Sequence, residues 1–260
     1  MGMSGKTIIV TGAASGIGRA TALKLAVMGA SVAVADLDGE GARQVAVKAG
    51  DQAIGLTVDM GSEDQIRAMI ETTLGRFGRI DGLVNNAADL SQNLSDGDVV
   101  STDLAVWDRV YQVNLRGAVA AAKLAVPHMV AVGGGSIVNV SSIQSLLGDK
   151  ERIAYSALKA AMNSLTRSIA TAFGKQGVRC NSVLPGPVMS REPGREWPEA
   201  MRQGFRDQIL LDDVSRPEEM AEVIAFLLSD AASAVTAQTL AADAGLSSRM
   251  QYYLTTQKAR

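Results

Sequence analysis

Residues 6 to 36 carry the pattern that most restricts the fold. Lys6-Thr7-Ile8-Ile9-Val10-Thr11 is a short apolar run of strand character, and it leads directly into Gly12-Ala13-Ala14-Ser15-Gly16-Ile17-Gly18. Helical periodicity follows in Arg19-Ala20-Thr21-Ala22-Leu23-Lys24-Leu25, and a second strand-like run, Ser31-Val32-Ala33-Val34-Ala35-Asp36, closes a βαβ unit. Such a unit belongs to folds built on a parallel sheet, because a helix must carry the chain back before the next parallel strand begins.

The glycines between strand and helix have separate uses. Gly12 permits a tight turn, Gly16 removes a Cβ that would block a pyrophosphate, and Gly18 lets the helix approach the sheet. The N-terminus of that helix offers free N–H groups and the positive end of its dipole to phosphates. A glycine motif alone is weak evidence and can be a plain turn; here the flanking strand and helix supply the context it requires. Asp36 ends the second strand eighteen residues after Gly18, where a carboxylate can accept hydrogen bonds from an adenosine ribose and would repel a 2′-phosphate. Neither Ser15 nor Leu37 supplies a cation to offset that repulsion, so NAD is expected rather than NADP. The alternative for Asp36 is that it merely opens the turn Asp36-Leu37-Asp38-Gly39.

A second pattern lies in the middle of the chain. Tyr155 and Lys159 are four residues apart, and Ser142 lies thirteen residues before Tyr155 at the end of an apolar run. On a helix, positions i and i+4 share a face, which sets an ammonium beside a phenol whose unperturbed pKa is about 10. A neighbouring positive charge favours the phenolate and makes a usable base, while the Ser142 hydroxyl can hold a carbonyl or alcohol oxygen. In isolation a Tyr and a Lys at this spacing would be an ordinary solvated face.

With these motifs in place, the chain resembles the short-chain dehydrogenase/reductase family of NAD(P)-dependent enzymes over nearly all of residues 5 to 246. The resemblance rests on T-G-A-A-S-G-I-G at Thr11 to Gly18, N-N-A-A at Asn85 to Ala88, Asn114, V-S-S ending at Ser142, Y-S-A-L-K at Tyr155 to Lys159 and P-G-P-V at Pro185 to Val188. It implies that Tyr155 is the general acid/base, that Ser142 orients the substrate oxygen, and that Lys159 lowers the Tyr155 pKa and grips the nicotinamide ribose. Asn114 would kink its helix and hold a water in a proton relay. The cofactor groove would be formed by Gly12, Ser15, Gly16, Ile17, Gly18, Asp36, Asn86, Ala87, Pro185 and Gly186. Asp59 would sit beside the adenine amino group, and Val188 and Ser190 would bind the carboxamide. Other readings stay open: Asn114 as a satisfied buried polar residue, Asp59 as the cap of a helix starting near Ser62, and Pro185 as a strand end. Ala88 and the run Asp243-Ala244-Gly245 depart from the commoner glycines of the family, and tighter packing rather than lost activity is expected from both.

Strand-like runs near Ile8, Val32, Leu56, Leu83, Val138, Val183 and Leu240 alternate with helical stretches, which predicts a Rossmann-like doubly wound parallel sheet of about seven strands with helices on both faces. With 260 residues, 47% of them hydrophobic, one core and one domain over residues 1–260 are expected. A net charge of −2 gives no general attraction to nucleic acid. The longest apolar stretch, residues 117 to 132, contains Lys123 and Pro127 and is too short to span a bilayer comfortably. No secretory signal pattern precedes the first strand-like run, so a cytoplasmic location away from membranes is expected. Cys180 is the only cysteine and His128 the only histidine; a zinc held by thiolate and imidazole is excluded, as is a Ser-His-Asp hydrolase unless His128 meets a serine. Cys180 reads as a buried strand thiol and His128 as the end of a helix.

The substrate is expected over the nicotinamide, beneath two segments at residues 88–103 and 188–213, the second acting as a flap. In the first, Asp89, Asp96, Asp98 and Asp103 argue mildly against a strongly anionic substrate if they face the pocket, but read more simply as solvated loop charges. In the second, Arg191, Arg195, Arg202 and Arg206 interleave with Glu192, Glu196, Glu199 and Asp207 as a salt-bridged surface, while Met189, Trp197, Met201, Phe205, Ile209, Leu210 and Leu211 read equally as an apolar underside to the flap or as ordinary packing. Gln144 is the candidate for a polar substrate contact. The expected activity is NAD-dependent interconversion of a secondary alcohol and a ketone on a small molecule such as a sugar, polyol, steroid or other cyclic alcohol. A 3-oxoacyl-thioester reductase and an NAD-responsive binding or regulatory protein are the alternatives; enoyl reduction fits less well, since that branch separates its Tyr and Lys more widely. The family resemblance further implies a homotetramer or homodimer through the helices around residues 107–132 and 155–174, whose apolar faces otherwise only cover the sheet; separately, Met250, Tyr252, Tyr253 and Leu254 in the tail at 247–260 are candidates to pack on a neighbour.

Overall fold

The computed structural model describes residues 2–189 and 197–248. Seven strands, β1 (Thr7–Thr11), β2 (Ser31–Asp36), β3 (Ala53–Thr57), β4 (Gly82–Asn85), β5 (Gly135–Val140), β6 (Val178–Pro185) and β7 (Thr239–Ala242), form one sheet. Helices α1 (Gly16–Val27), α2 (Gly39–Ala49), α3 (Glu63–Phe77), α4 (Leu104–Val110), α5 (Gly117–Ala131), α6 (Ile153–Phe173), α7 (Glu199–Arg206) and α8 (Pro217–Leu228) lie between them in sequence. The strand order is β3-β2-β1-β4-β5-β6-β7, and every neighbouring pair is parallel. Each run expected from the sequence to be a strand is one.

The two faces of this sheet make two cores. Ile9, Leu83, Ile137 and Cys180 join residues of α3, α5 and α6 on one side, while Ile8, Val10, Val84, Val138 and Val183 join residues of α1, α2 and α8 on the other. Alternate residues of one strand therefore feed opposite cores, which is why β1, β4 and β5 read as almost continuous apolar runs. Cys180 is buried in β6, and His128 lies in the last turn of α5, as the sequence suggests.

Strand order reverses between β1 and β4, so the chain leaves their carboxyl ends in opposite directions and opens a crevice there. Asn86 braces its rim: its Nδ2 donates to the carbonyls of Thr11 and Gly12, both at 2.9 Å, and its N–H donates to the Thr11 hydroxyl. Farther along, Asn85 donates to Asn139, and Asn139 donates to Thr166 of α6, at 2.9 and 2.8 Å. These bonds are fully buried, and they fix α6 against the sheet in one register.

The segment over residues 188–213 is partly as expected. Arg202 and Arg206 of α7 both pair with Asp213, and Arg206 also pairs with Glu199 at 2.8 Å. The pairing with Arg202 holds the Asp213 carboxyl well below its usual range. Met189, Ile209 and Val214 form a small apolar cluster with Trp197 and Phe205, but Met201, Leu210 and Leu211 are exposed instead of completing it. Arg191, Glu192, Arg195 and Glu196 lie outside the described residues, as does the tail from residue 249 onward. Ala244 has a φ of 55°, so the alanine that replaces the family's usual glycine adds backbone strain rather than improved packing.

Candidate active site

The crevice is one cavity of about 1280 Å³. Gly12, Ser15, Gly16, Ile17 and Asp36 line one end; Asn86, Ala87, Ser142, Gln144, Arg152, Tyr155, Lys159, Pro185, Gly186 and Val188 line the rest. Most of the residues singled out in the sequence thus come together although the chain separates them widely. Ser190 lies outside the described residues.

The glycine turn is shaped by close approach. Gly12 has a φ of 64°, and a Cβ there would lie 2.7 Å from the Cα of Ala87. A Cβ on Gly18 would overlap the Gly12 carbonyl oxygen, so only glycine lets α1 start against the strand. Gly16 differs: its added Cβ would meet no protein atom, leaving the space beside the helix start open. Ser15 precedes α1 without a side-chain cap, which leaves the first amides of the helix turned toward the cavity as donors. Asp36 accepts from the amides of Ala14 and Asp38, both at 2.9 Å, so its carboxylate is fixed where the turn passes the end of β2. Asp59 accepts from the Gly61 amide at 2.7 Å, and the cap of α3 is Ser62, not Asp59.

Tyr155 and Lys159 occupy the first turns of α6. Lys159 is 2% exposed; its Nζ donates to the Val140 carbonyl at 2.6 Å and stands 5.5 Å from the Tyr155 ring centre. Burial, with a smaller contribution from the charge of Arg152, brings the Lys159 pKa from 10.5 to about 8. Burial pushes the Tyr155 phenol upward, opposed by the positive charge of Arg152 and by a hydrogen bond with Ser142. Ser142 also accepts from the Gln144 amide at 3.2 Å, and Gln144 Nε2 donates to Asp149 at 2.5 Å.

Asn114 lies in a π-helical stretch, Tyr111–Arg116, inserted between α4 and α5. The wider turn is the distortion the resemblance led us to expect at this residue. Its Oδ1 accepts from the Asp89 amide at 2.7 Å, while its buried Nδ2 has no hydrogen-bond partner among the described residues. Asn114 does not itself line the cavity but lies behind Asp89, which does, and an orphaned buried donor there fits a bound water.

Two residues in the site carry more than their sequence context suggested. Asp96, read as a solvated loop charge, is 2% exposed. Its carboxylate accepts from the amides of Ala154 and Tyr155, both at 2.9 Å, and its carbonyl accepts from Arg152 at 2.6 Å. Asp96 therefore caps α6 from more than fifty residues away, a distance over which no local pattern operates. Arg152 places its guanidinium 4.4 Å above the Tyr155 ring centre. Its sequence signal was the i, i+3 step from Arg152 to Tyr155, continued by i+4 to Lys159. The other acids of that loop are also engaged: Asp89 with Arg109 at 2.7 Å, Asp98 with the amides of Val100 and Ser101, and Asp103 as the cap of α4.

A single parallel sheet with a glycine turn at its switch point, and a Ser-Tyr-Lys set across the crevice, defines a nucleotide-dependent oxidoreductase. A family model described as enoyl-(acyl carrier protein) reductase matches residues 12–247. A probable short-chain type dehydrogenase/reductase of Bradyrhizobium diazoefficiens is 42% identical over 96% of this chain and 90% of its own length. Also similar are a cis-4-hydroxycyclohexanecarboxylate dehydrogenase of Sinomonas cyclohexanicum, 40% identical over 92% of this chain and 96% of its own, and a 7alpha-hydroxysteroid dehydrogenase of Clostridium sardiniense, 38% identical over 90% of each. The chain belongs to the short-chain dehydrogenase/reductase family. It is an oxidoreductase that acts on CH–OH groups with a nicotinamide cofactor.

Proposed function

We propose that the protein is an NAD-dependent dehydrogenase that interconverts a small cyclic secondary alcohol and its ketone. The observation that carries this reading is the set of Ser142, Tyr155 and Lys159 on one wall of the crevice whose other end is the glycine turn. The open space beside Gly16 and the uncapped start of α1 fit a bound dinucleotide. Gly12, Ser15, Gly16, Ile17 and Gly18 would hold its pyrophosphate, Asp36 its adenosine ribose and Asp59 its adenine. Asn86, Ala87, Pro185, Gly186, Val188, Ser190, Tyr155 and Lys159 would hold the nicotinamide half. The bound cofactor supplies a two-electron hydride acceptor.

Ser142 donates to the substrate oxygen and orients it toward Tyr155. In the oxidative direction the Tyr155 phenolate, favoured by the neighbouring charges of Arg152 and Lys159, takes the hydroxyl proton and becomes the phenol as the hydride leaves. In the reductive direction the phenol, kept protonated by burial, donates to the ketone oxygen. Lys159 would pass the proton onward through a water held by Asn114. NAD is favoured over NADP because Asp36 is fixed by two backbone amides and would repel a 2′-phosphate. The relatives named for hydroxysteroid and hydroxycyclohexanecarboxylate oxidation support a cyclic alcohol. We take the chain to be one domain, cytoplasmic, and assembled as a homotetramer or homodimer.

A 3-oxoacyl-thioester reductase remains the second reading, since a relative named for that activity in Thermotoga maritima is 36% identical over 95% of this chain. Asp36 stands against the NADPH such an enzyme would draw on. Formation of NADH from a panel of cyclic alcohols, with Tyr155→Phe and with NADP as controls, tests the proposal. Turnover with NAD that falls about a thousandfold in Tyr155→Phe is expected; turnover confined to thioesters and NADPH would overturn it.

A further inference from the structure

Arg152 is an arginine in an unusual position. Its backbone lies in the left-handed region, φ 61° and ψ 41°, which long side chains seldom adopt. The strain is held in place by the three hydrogen bonds from Arg152, Ala154 and Tyr155 to Asp96. A strained residue that its surroundings over-determine is a sign of use. Here the effect is to set the guanidinium over the Tyr155 ring, in the wall of the cavity that holds Ser142 and Gln144.

The charges of that wall are unevenly paired. Asp89 is paired with Arg109, while Asp149 accepts from the neutral Gln144, keeps its own charge and lies beyond ion-pair distance of Arg152. Arg152, by contrast, has no carboxylate within ion-pair distance among the described residues, and its buried Nε has no hydrogen-bond partner there. The side chain is half-buried, so a guanidinium there without a counter-charge gains from a ligand in the cavity that supplies one.

We propose that Arg152 is the anion-recognising residue of the substrate pocket, and that the alcohol oxidised there carries a carboxylate. This rests on the dehydrogenase reading and narrows its substrate class to hydroxy-carboxylic acids. One unpaired guanidinium matches the single charge and the planar fork of a carboxylate, whereas a phosphate dianion would call for further cations. Because the guanidinium stands over the ring of Tyr155, the carboxylate and the reacting hydroxyl belong to one small molecule. The loop acids that argued mildly against a strongly anionic substrate leave room for a single carboxylate, since Asp89 is paired with Arg109 and Asp96 faces the amides of α6 rather than the cavity.

The test compares 3- and 4-hydroxycyclohexanecarboxylates with their methyl esters, in the wild type, Arg152→Gln and Arg152→Lys. The wild type is expected to favour acid over ester by about thirtyfold or more in kcat/KM, with the ratio collapsing toward unity in Arg152→Gln and partly kept in Arg152→Lys. A wild-type ratio near unity overturns the proposal even if Arg152→Gln fails to fold. So does an equal loss for acid and ester in Arg152→Gln, with a shifted pH profile, which would mean that Arg152 acts only on Tyr155. If neither compound is oxidised, the dehydrogenase reading has failed separately. Calorimetry with cyclohexanecarboxylate then decides: binding by the wild type that Arg152→Gln loses supports the anion site, and no binding by the wild type overturns it.

Discussion

The two ends of the crevice are built from different materials. Around Gly12 to Gly18 the wall is backbone: amides at a helix start, glycines whose Cβ atoms would collide with Ala87 or the Gly12 carbonyl, and Asn86 tying the turn to β4. Around Tyr155 the wall is side chain: Ser142, Gln144, Arg152 and Lys159, positioned by bonds to Asp96, Asp149 and Val140. A backbone wall recognises what every member of a cofactor class shares, and it tolerates little change. A side-chain wall can be altered residue by residue, so specificity belongs there.

The sharpest way to break this contrast is on the backbone side. Gly18→Ala places a Cβ on the Gly12 carbonyl with no flexible side chain to yield, and is expected to cost about 3 kcal/mol or more of stability together with cofactor binding. Denaturation and nucleotide calorimetry measure both; near-normal values would show that the turn adapts as a side chain does. Next is Asp96→Ala, which leaves two buried amides of α6 without acceptors and is expected to cost about 2 kcal/mol in urea unfolding. Its kcat should fall more than its affinity for NAD, and Asp96→Asn, which keeps one acceptor, should recover part of the loss.

The smallest expected effect lies within the side-chain wall, at Lys159. Its folded pKa of about 8 is below the ordinary lysine value, so the folded chain binds fewer protons between the two values and stability rises with pH across that window. From pH 7 to pH 9 the gain is about 1 kcal/mol relative to Lys159→Met, which has no proton to lose. A pH-independent difference between the two proteins would mean that Lys159 is better solvated than its burial implies.

The same contrast explains what could be read in the sequence. The glycine turn, the seven strands, and the Tyr155 and Lys159 pair are local patterns with a period or fixed spacing, and all were legible. Asp96 was not, because a carboxylate in a polar loop looks alike whether it faces water or caps a helix that begins at Ile153. Met201, Leu210 and Leu211 were candidates for an apolar underside because hydrophobicity alone does not say which residues of an irregular segment turn inward; the structure leaves them exposed. Arg152 lay in plain view at helical spacing from Tyr155, but its left-handed backbone has no composition signal in a residue other than glycine.

The reversal of strand order has a consequence for how the chain assembles. β1 pairs with β4, Ile8 beside Gly82, only after α1, β2, α2, β3 and α3 have all been laid out between them. Long-range parallel pairing of this kind forms slowly, since a large loop must close before contacts reward it. The crevice straddles this late-closing seam, so a molecule that touches both sides at once would act as a clasp, and the chain would resist heat and proteolysis better with its pocket filled than with it empty.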